Sequence, residues 1–470
     1  MQQFILILII NKFLKINFIM KKTILFSLTV IFAAFFVVSC NKTAKKTFEP
    51  KPVVHSDWTR SAVIYEVNVR QYTKEGTFKA FEKYLPQLKD LGVDVLWFMP
   101  VNPISELNRK GKLGSYYAVK DYKAINPEFG TADDFKTLVA SAHEQGFKVI
   151  IDWVANHTGC DNVWLAEHKD WYMLDSVGNP LSPYDWTDTY KLNYGNGAMR
   201  AAMTDAMKFW VSNFDIDGFR CDVAGEVPTS FWDSTRIVLD SIKPVFMLAE
   251  AENPELLFNA FDADYAWNLL HLMNNVAKDS SVQTIRNYLI KNDSILPEDA
   301  YKMNFITNHD ENSWNGTEYE RYKGGVQAFA VLTYTLPGMP LIYSGQEIGF
   351  NRRLKFFDKD QISWSKNSTF AFYKKLNNLK HTHPALKAGA QGGDVKMFNR
   401  VGAAEDILIF SRKKEGKEIV VALNLSGKKH DVYTNDVFPK EEFTEYFTGK
   451  KSTITFPIKL GPWEYKVWVR

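Results

Sequence analysis

A chain of 470 residues is long enough for a large buried core and more than one domain. Its apolar share of 46% against 24% charged excludes a disordered chain. A net charge of +3, with no basic helix or arginine-rich tract, excludes a nucleic-acid partner.

The first segment reads as targeting, not fold. From Met20 the chain runs MKKTILFSLTVIFAAFFVVSCNK. Lys21 and Lys22 form a positive start, and residues 24–39 are apolar apart from Ser27, Thr29 and Ser39. That run is short of the roughly 20 residues a membrane span needs. It ends Val37-Val38-Ser39-Cys40, which resembles the bacterial lipoprotein box. The resemblance implies a leader over 1–40, lipid on Cys40 as a membrane anchor, and an envelope location. Asn41, Lys42 and Thr43 are not acidic, which points to the periplasmic side rather than the cell surface. Residues 41–56 then form a tether, and Met20 is a candidate true start. Of the three cysteines, Cys160 and Cys221 build no disulfide framework.

From residue 62, apolar runs alternate with helical patterns. The strand candidates are 62–69, 93–101, 148–154, 216–223, 244–250, 260–265, 303–309 and 340–347. Their continuous apolar character fits buried parallel strands. Helical patterns fall at 77–92, 131–146, 198–214, 229–242 and 322–336, with Gly92 and Gly146 where C-caps belong. The alternation predicts a (β/α)8 TIM barrel over 57–380. The Asp-, Asn- and Gly-rich stretch 158–196 is an insertion after the third strand. Residues 385–470 change to alternating strands without a long helix and read as an antiparallel β-sandwich.

Each of four strands ends in polar residues. Strand three leads to Asp152, Asn156 and His157, strand four to Arg220 and Asp222, strand five to Glu250, and strand seven to Asn308, His309 and Asp310. The same barrel rim receives them all, the rim where this fold builds active sites. Crowded carboxylates are costly and split one another's pKa values. Such a set suits glycoside hydrolysis by retention, which needs a carboxylate nucleophile and a carboxyl acid/base. Residues i and i+2 share a strand face, so Arg220 lies beside Asp222 and is expected to hold it ionised. Glu250 has no cation nearby in sequence and is expected to keep the raised pKa of a proton donor. Asp310 and the two histidines would hold sugar hydroxyls. The 13 Trp, 21 Tyr and 34 Phe supply faces for core packing and for sugar rings alike.

At this point the chain resembles the alpha-amylase family of glycoside hydrolases over nearly everything after residue 57. DWVANH (152–157), GFRCD (218–222), the glutamate of FMLAEAENPE (246–255) and FITNHD (305–310) match its four signature regions. The resemblance implies Asp222 as nucleophile, Glu250 as acid/base and Asp310 as transition-state stabiliser. Tyr117, His157, Arg220, His309 and Asp152 would form the substrate subsite. The substrate would be an α-glucan or maltooligosaccharide, with no cofactor for the chemistry. VAGEV (223–227) and TYKLN (189–193) look like the neopullulanase and cyclomaltodextrinase branch, bringing in Glu226 as a substrate contact. They imply activity on α-1,6 as well as α-1,4 links, or on cyclic and short oligomers. That branch carries an N-terminal β domain that helps it dimerise, and the first strand here starts near residue 62, so a monomer is expected. Calcium is common in the family, and Asn156 matches a ligand, with Asp161, Asp170 and Asp175 as further oxygen donors. Two alternatives share these residues or this fold: a glucan transglycosylase, and a non-catalytic glycan-binding subunit.

Overall fold

The computed structural model describes residues 52–470 except 280, 366, 402–404 and 439. The leader and the lipoprotein-like Cys40 lie outside the described residues. Eight parallel strands close into a barrel: β1 Ile64–Val67, β2 Val95–Phe98, β3 Lys148–Val154, β4 Gly218–Asp222, β5 Phe246–Ala249, β6 Ala263–Tyr265, β7 Tyr301–Asn304 and β8 Met339–Tyr343. Each pairs with its sequence neighbours, and β1 closes on β8. Almost every residue of these strands is buried, because helices cover the outside and side chains fill the inside.

Besides two short helices, Val69–Tyr72 and Glu318–Tyr322, the helices are α1 Phe78–Glu82, α2 Leu85–Leu91, α3 Ala132–Glu144, α4 Gly197–Phe214, α5 Thr229–Asp240, α6 Trp267–Val276, α7 Gln283–Ile295, α8 Val326–Thr335 and α9 Ser368–Thr382. The expected single helix over 77–92 is broken in two. Pro86 has no N–H to return to Glu82, so the chain restarts at Leu85. Gly92 closes α2 in the left-handed region at φ 88°, where a Cβ would be strained. Thr131 and Asp134 form a reciprocal capping box on α3.

Strand seven starts earlier than expected and stops at Asn304. Its pairing with β8 ends at Asn304 opposite Pro340, and a proline cannot extend the ladder. Asn308, His309 and Asp310 therefore sit past the strand, entering the helical turn Glu311–Asn315. The inserted segment is anchored by a short antiparallel pair, His157–Gly159 with Thr189–Lys191.

After α9 the chain builds β9 Val395–Met397, β10 Ile407–Lys414, β11 Lys417–Asn424, β12 His430–Val432, β13 Glu442–Glu445, β14 Lys451–Thr453, β15 Ile458–Leu460 and β16 Tyr465–Val469. Six form one antiparallel sheet in the order β9-β10-β11-β16-β13-β14, and β12 pairs with β15. Ile407, Ile409, Val420, Val432, Leu460 and Trp468 pack into a separate apolar core there. The other face of the sheet, with Leu408, Phe410 and Val421, joins the barrel's core.

Gly218 opens β4 where a Cβ would stand 1.9 Å from the carbonyl oxygen of Phe246. That is backbone, which cannot give way without parting β4 from β5. Gly218→Ala should lower stability by about 3 kcal/mol or more, read as the shift in a denaturant or thermal unfolding curve. An unchanged curve would show that the two strands have slack.

Candidate active site

Arg220 is fully buried, pointing inward from β4. Its Nη1 donates to Asp152 Oδ1 at 2.9 Å and to Asp222 Oδ1 at 3.1 Å. Its Nη2 lies 2.8 Å from Glu250 Oε1, and its Nε donates to the Tyr265 hydroxyl at 2.9 Å. The rings of Trp97, Tyr265 and Tyr117 lie within 5.1, 5.3 and 5.8 Å of its guanidinium carbon. Burial alone would weaken this cation, but Asp152 and Glu250 outweigh it and hold the charge firmly in place.

Two expectations from the sequence are corrected here. Glu250 is not free of cations, because strand four brings Arg220 to it. Nor does Arg220 by itself keep Asp222 ionised. Burial and then the charge of Glu250 push Asp222 well above the usual carboxylate range, against the pull of Arg220. Crowded acids of this kind hold a proton jointly, as a property of the cluster.

The atoms left over define the reactive face. Asp222 Oδ2 is buried and has no hydrogen-bond partner. Glu250 Oε2 accepts from the Val223 N–H at 2.9 Å. Val223 is held at φ 46°, ψ 40°, a left-handed conformation that is costly for a β-branched residue. The strain therefore sits directly after Asp222 and aims a backbone donor at Glu250.

Asp222, Glu250 and Asp310 line a cavity of about 460 Å³ together with Tyr117, His157, Trp186, Trp314, Phe356 and Phe357. Tyr117 lies nearly parallel to the rings of His309 and Phe356 (centroids 5.4 and 6.2 Å) and donates its hydroxyl proton to Asp152 Oδ2 at 3.0 Å. His157 is buried, and burial followed by the nearby Lys191 ammonium lowers it to about 3. It is thus a neutral ring beside Trp186. His309 goes the other way. Burial opposes its charge, but Asp310 and Glu66 outweigh burial and raise it to about 9.

Not every expected contact reaches the cavity. Asp152, Arg220 and His309 are at most 1% exposed and stand behind the wall. Asp152 is occupied by Arg220, Tyr117 and the Trp97 indole N–H. Glu226 is exposed outside the cavity wall. It accepts from the Tyr184 hydroxyl at 2.9 Å and from Lys191 Nζ at 3.3 Å, tying the exit of β4 to the insertion.

Sequence reasoning passed over Glu66, Trp186, Trp314 and Phe356. Glu66 carried a signal, a lone charge inside an apolar strand. The three aromatics carried none that separates wall from core.

The three aspartates proposed for calcium do not come together at one point. Among the described residues no three His, Cys, Asp or Glu side chains gather to hold a metal. Asn156 turns its amide to His157 Nδ1 at 3.3 Å, and Asp161 lies 3.5 Å from Lys120 Nζ. Asp170 takes Asn196, and Asp175 closes its own turn through Val177 and Asn179.

Known proteins place this architecture. The alpha-amylase catalytic-domain profile matches residues 31–191 and 182–368. Alpha-amylase MalA of Haloarcula japonica is 28% identical across 79% of this chain, which spans 56% of that protein's length. A cyclomaltodextrinase of Thermoanaerobacter pseudethanolicus is 25% identical over 84% of this chain and 75% of its own. The crystal structure of a noncanonic maltogenic alpha-amylase, AmyB from Thermotoga neapolitana, superposes with a TM-score of 0.80 at 28% identity. It covers 87% of this chain and 98% of its own. With the closed barrel and four matched signature regions already in view, the conclusion is direct: the chain belongs to the alpha-amylase catalytic-domain family.

Proposed function

We propose that the protein is a retaining glycoside hydrolase of α-glucans, working by double displacement. One observation carries the reading. A single buried guanidinium binds Asp222 through one terminal nitrogen and Glu250 through the other, while Asp222 Oδ2 is left without a partner at the cavity. Sharing one guanidinium supports the close carboxyl pair of retention over the wide pair that admits a water between acid and base.

In this mechanism Asp222 Oδ2 attacks the anomeric carbon, and Glu250 gives its proton to the departing glycosidic oxygen. Water, deprotonated by Glu250, then releases the glycosyl group from Asp222. Asp310 lies on the same cavity and would stabilise positive charge on the sugar ring. Tyr117 would stack against the glucose at the cleavage point, and His157, as a neutral ring, would bond its hydroxyls. Arg220 and Asp152 act from behind, fixing Asp222 and Tyr117. Trp186 and Trp314 offer further faces for a glucan chain.

Asp222→Asn keeps the shape of the site and removes the nucleophile's charge. Turnover should fall at least about 10⁴-fold, with the protein still folded and still binding maltotriose. Hydrolysis near the unsubstituted rate would remove Asp222 from this role.

The finer reading is activity on α-1,6 as well as α-1,4 links, and on cyclic dextrins. VAGEV, TYKLN and the likeness to a cyclomaltodextrinase support it. Incubation with amylose, pullulan, γ-cyclodextrin and maltotriose, resolved by chromatography, tests it. Rapid attack on pullulan and cyclodextrin, giving panose or maltose, is expected. Cleavage of amylose alone would mark an ordinary α-amylase, and dominant formation of longer products from maltotriose would mark a transglycosylase.

The leader supports an envelope lipoprotein anchored through Cys40 and facing the periplasm. In a bacterial host, Cys40→Ser should abolish palmitate labelling and move activity out of the membrane fraction. Labelling that survives the substitution would place the anchor elsewhere.

A further inference from the structure

Glu66 lies on β1 with its side chain turned inward and wholly buried. It sits level with Trp97 on β2 and Tyr343 on β8. Its Oε1 meets His309 Nδ1 at 2.5 Å, and its Oε2 has no partner. A buried carboxylate costs several kcal/mol unless it is well paired. Here its one side-chain partner is an imidazole, so whatever it does passes through that ring.

Hydrogen-bond directions extend the chain. The Tyr117 hydroxyl spends its only proton on Asp152 Oδ2. Its 2.7 Å contact with His309 Nε2 therefore requires the histidine to donate. Asp310 Oδ2 lies 3.3 Å from the same nitrogen, an ion-pair contact. With Glu66 accepting at Nδ1, both ring nitrogens are donors.

We propose that Glu66 is a positioning residue for the reaction, holding His309 as a double donor that orients Tyr117 and Asp310 around the sugar. The proposal rests on the roles given above to Asp310 and Tyr117. The charged and titratable groups facing His309 are Glu66 from β1, Arg220 from β4, Asp152 from β3, Tyr117 from the loop after β2, and its neighbour Asp310, while Trp97 from β2 and Phe356 pack on it without charge. Glu66 and Asp310 favour the imidazolium and Arg220 opposes it, along with burial. The folded value, about 9, lies above the ordinary 6.5. The imidazolium's contribution is thus complete below pH 6.5 and lost as pH rises through about 9.

Two measurements test this. In the unsubstituted protein, ¹⁵N-histidine spectra assigned with His309→Gln should show His309 charged at neutral pH and titrating near 9. Titration at or below 6.5 overturns the proposal, whatever the fate of any variant. In Glu66→Gln, which keeps size and removes charge, the alkaline limb of kcat/KM should move down by at least about one pH unit. At pH 8, kcat should fall about tenfold or more with KM little changed. An unmoved limb with unchanged kcat overturns the positioning role. If that result accompanies an inactive Asp222→Asn, the hydrolase reading stands and Glu66 alone is released. An active Asp222→Asn removes the reading itself.

Discussion

The constraint on which the site depends is a guanidinium with no route to water. Arg220 is enclosed by three aromatic rings and ion-paired with carboxylates on or just past three neighbouring strands. Removing any one carboxylate leaves less to balance a charge that the core cannot solvate. The barrel register is what makes the balance achievable. Asp152 on β3 stands level with Arg220, and Asp222 lies one inward position higher, level with Val154. On β5, Leu248 is level with Arg220, so Glu250 emerges two residues above it. A slip of one residue between β3 and β4 would turn Arg220 to the helices and Cys221 to the core.

The same arrangement explains the acids' division of labour. Asp222 is fixed by one oxygen and unpartnered at the other. Glu250 is fixed by the guanidinium and by a backbone N–H from a strained residue. Neither carboxyl has rotational freedom to lose when substrate arrives, which is where preorganised sites gain their rate.

What the sequence disclosed and what it withheld divide along range of contact. Strand-end charges such as Asp152, Asp222 and Glu250 were legible because an apolar run that stops at a carboxylate is a local pattern. The barrel was legible because parallel strands read as continuous apolar runs. The Arg220–Glu250 pair was not, since two adjacent strands place side by side residues that are 30 apart in sequence. Glu66 lies inside a run that was read as strand, yet its meaning depends on His309, 243 positions away. Helices α6, α7 and α9 were also missed, and capping does not account for it: α9 carries an Asn367 cap, while α5 and α8, which were read, carry none.

The insertion shows the limit of reading specificity from two local matches. Both VAGEV and TYKLN exist in the fold as one clasp, Glu226 against Lys191 and Tyr184. Lys191 and Glu226 are each more than a third exposed, so their ion pair contributes at most about 1 kcal/mol. The paired strands at His157–Gly159 and Thr189–Lys191 hold the insertion more firmly, with every residue of the first strand buried. The clasp therefore does not build the mouth of the cavity. It ties the loop after β4 to the insertion, whose Lys191 opposes protonation of His157. A lysine on this seam, opposite His157 in the strand pair, supplies positive charge that opposes protonation of that ring. Lys191 thus joins insertion to barrel through Glu226 and adds to burial in lowering the pKa of the same histidine that lines the cavity.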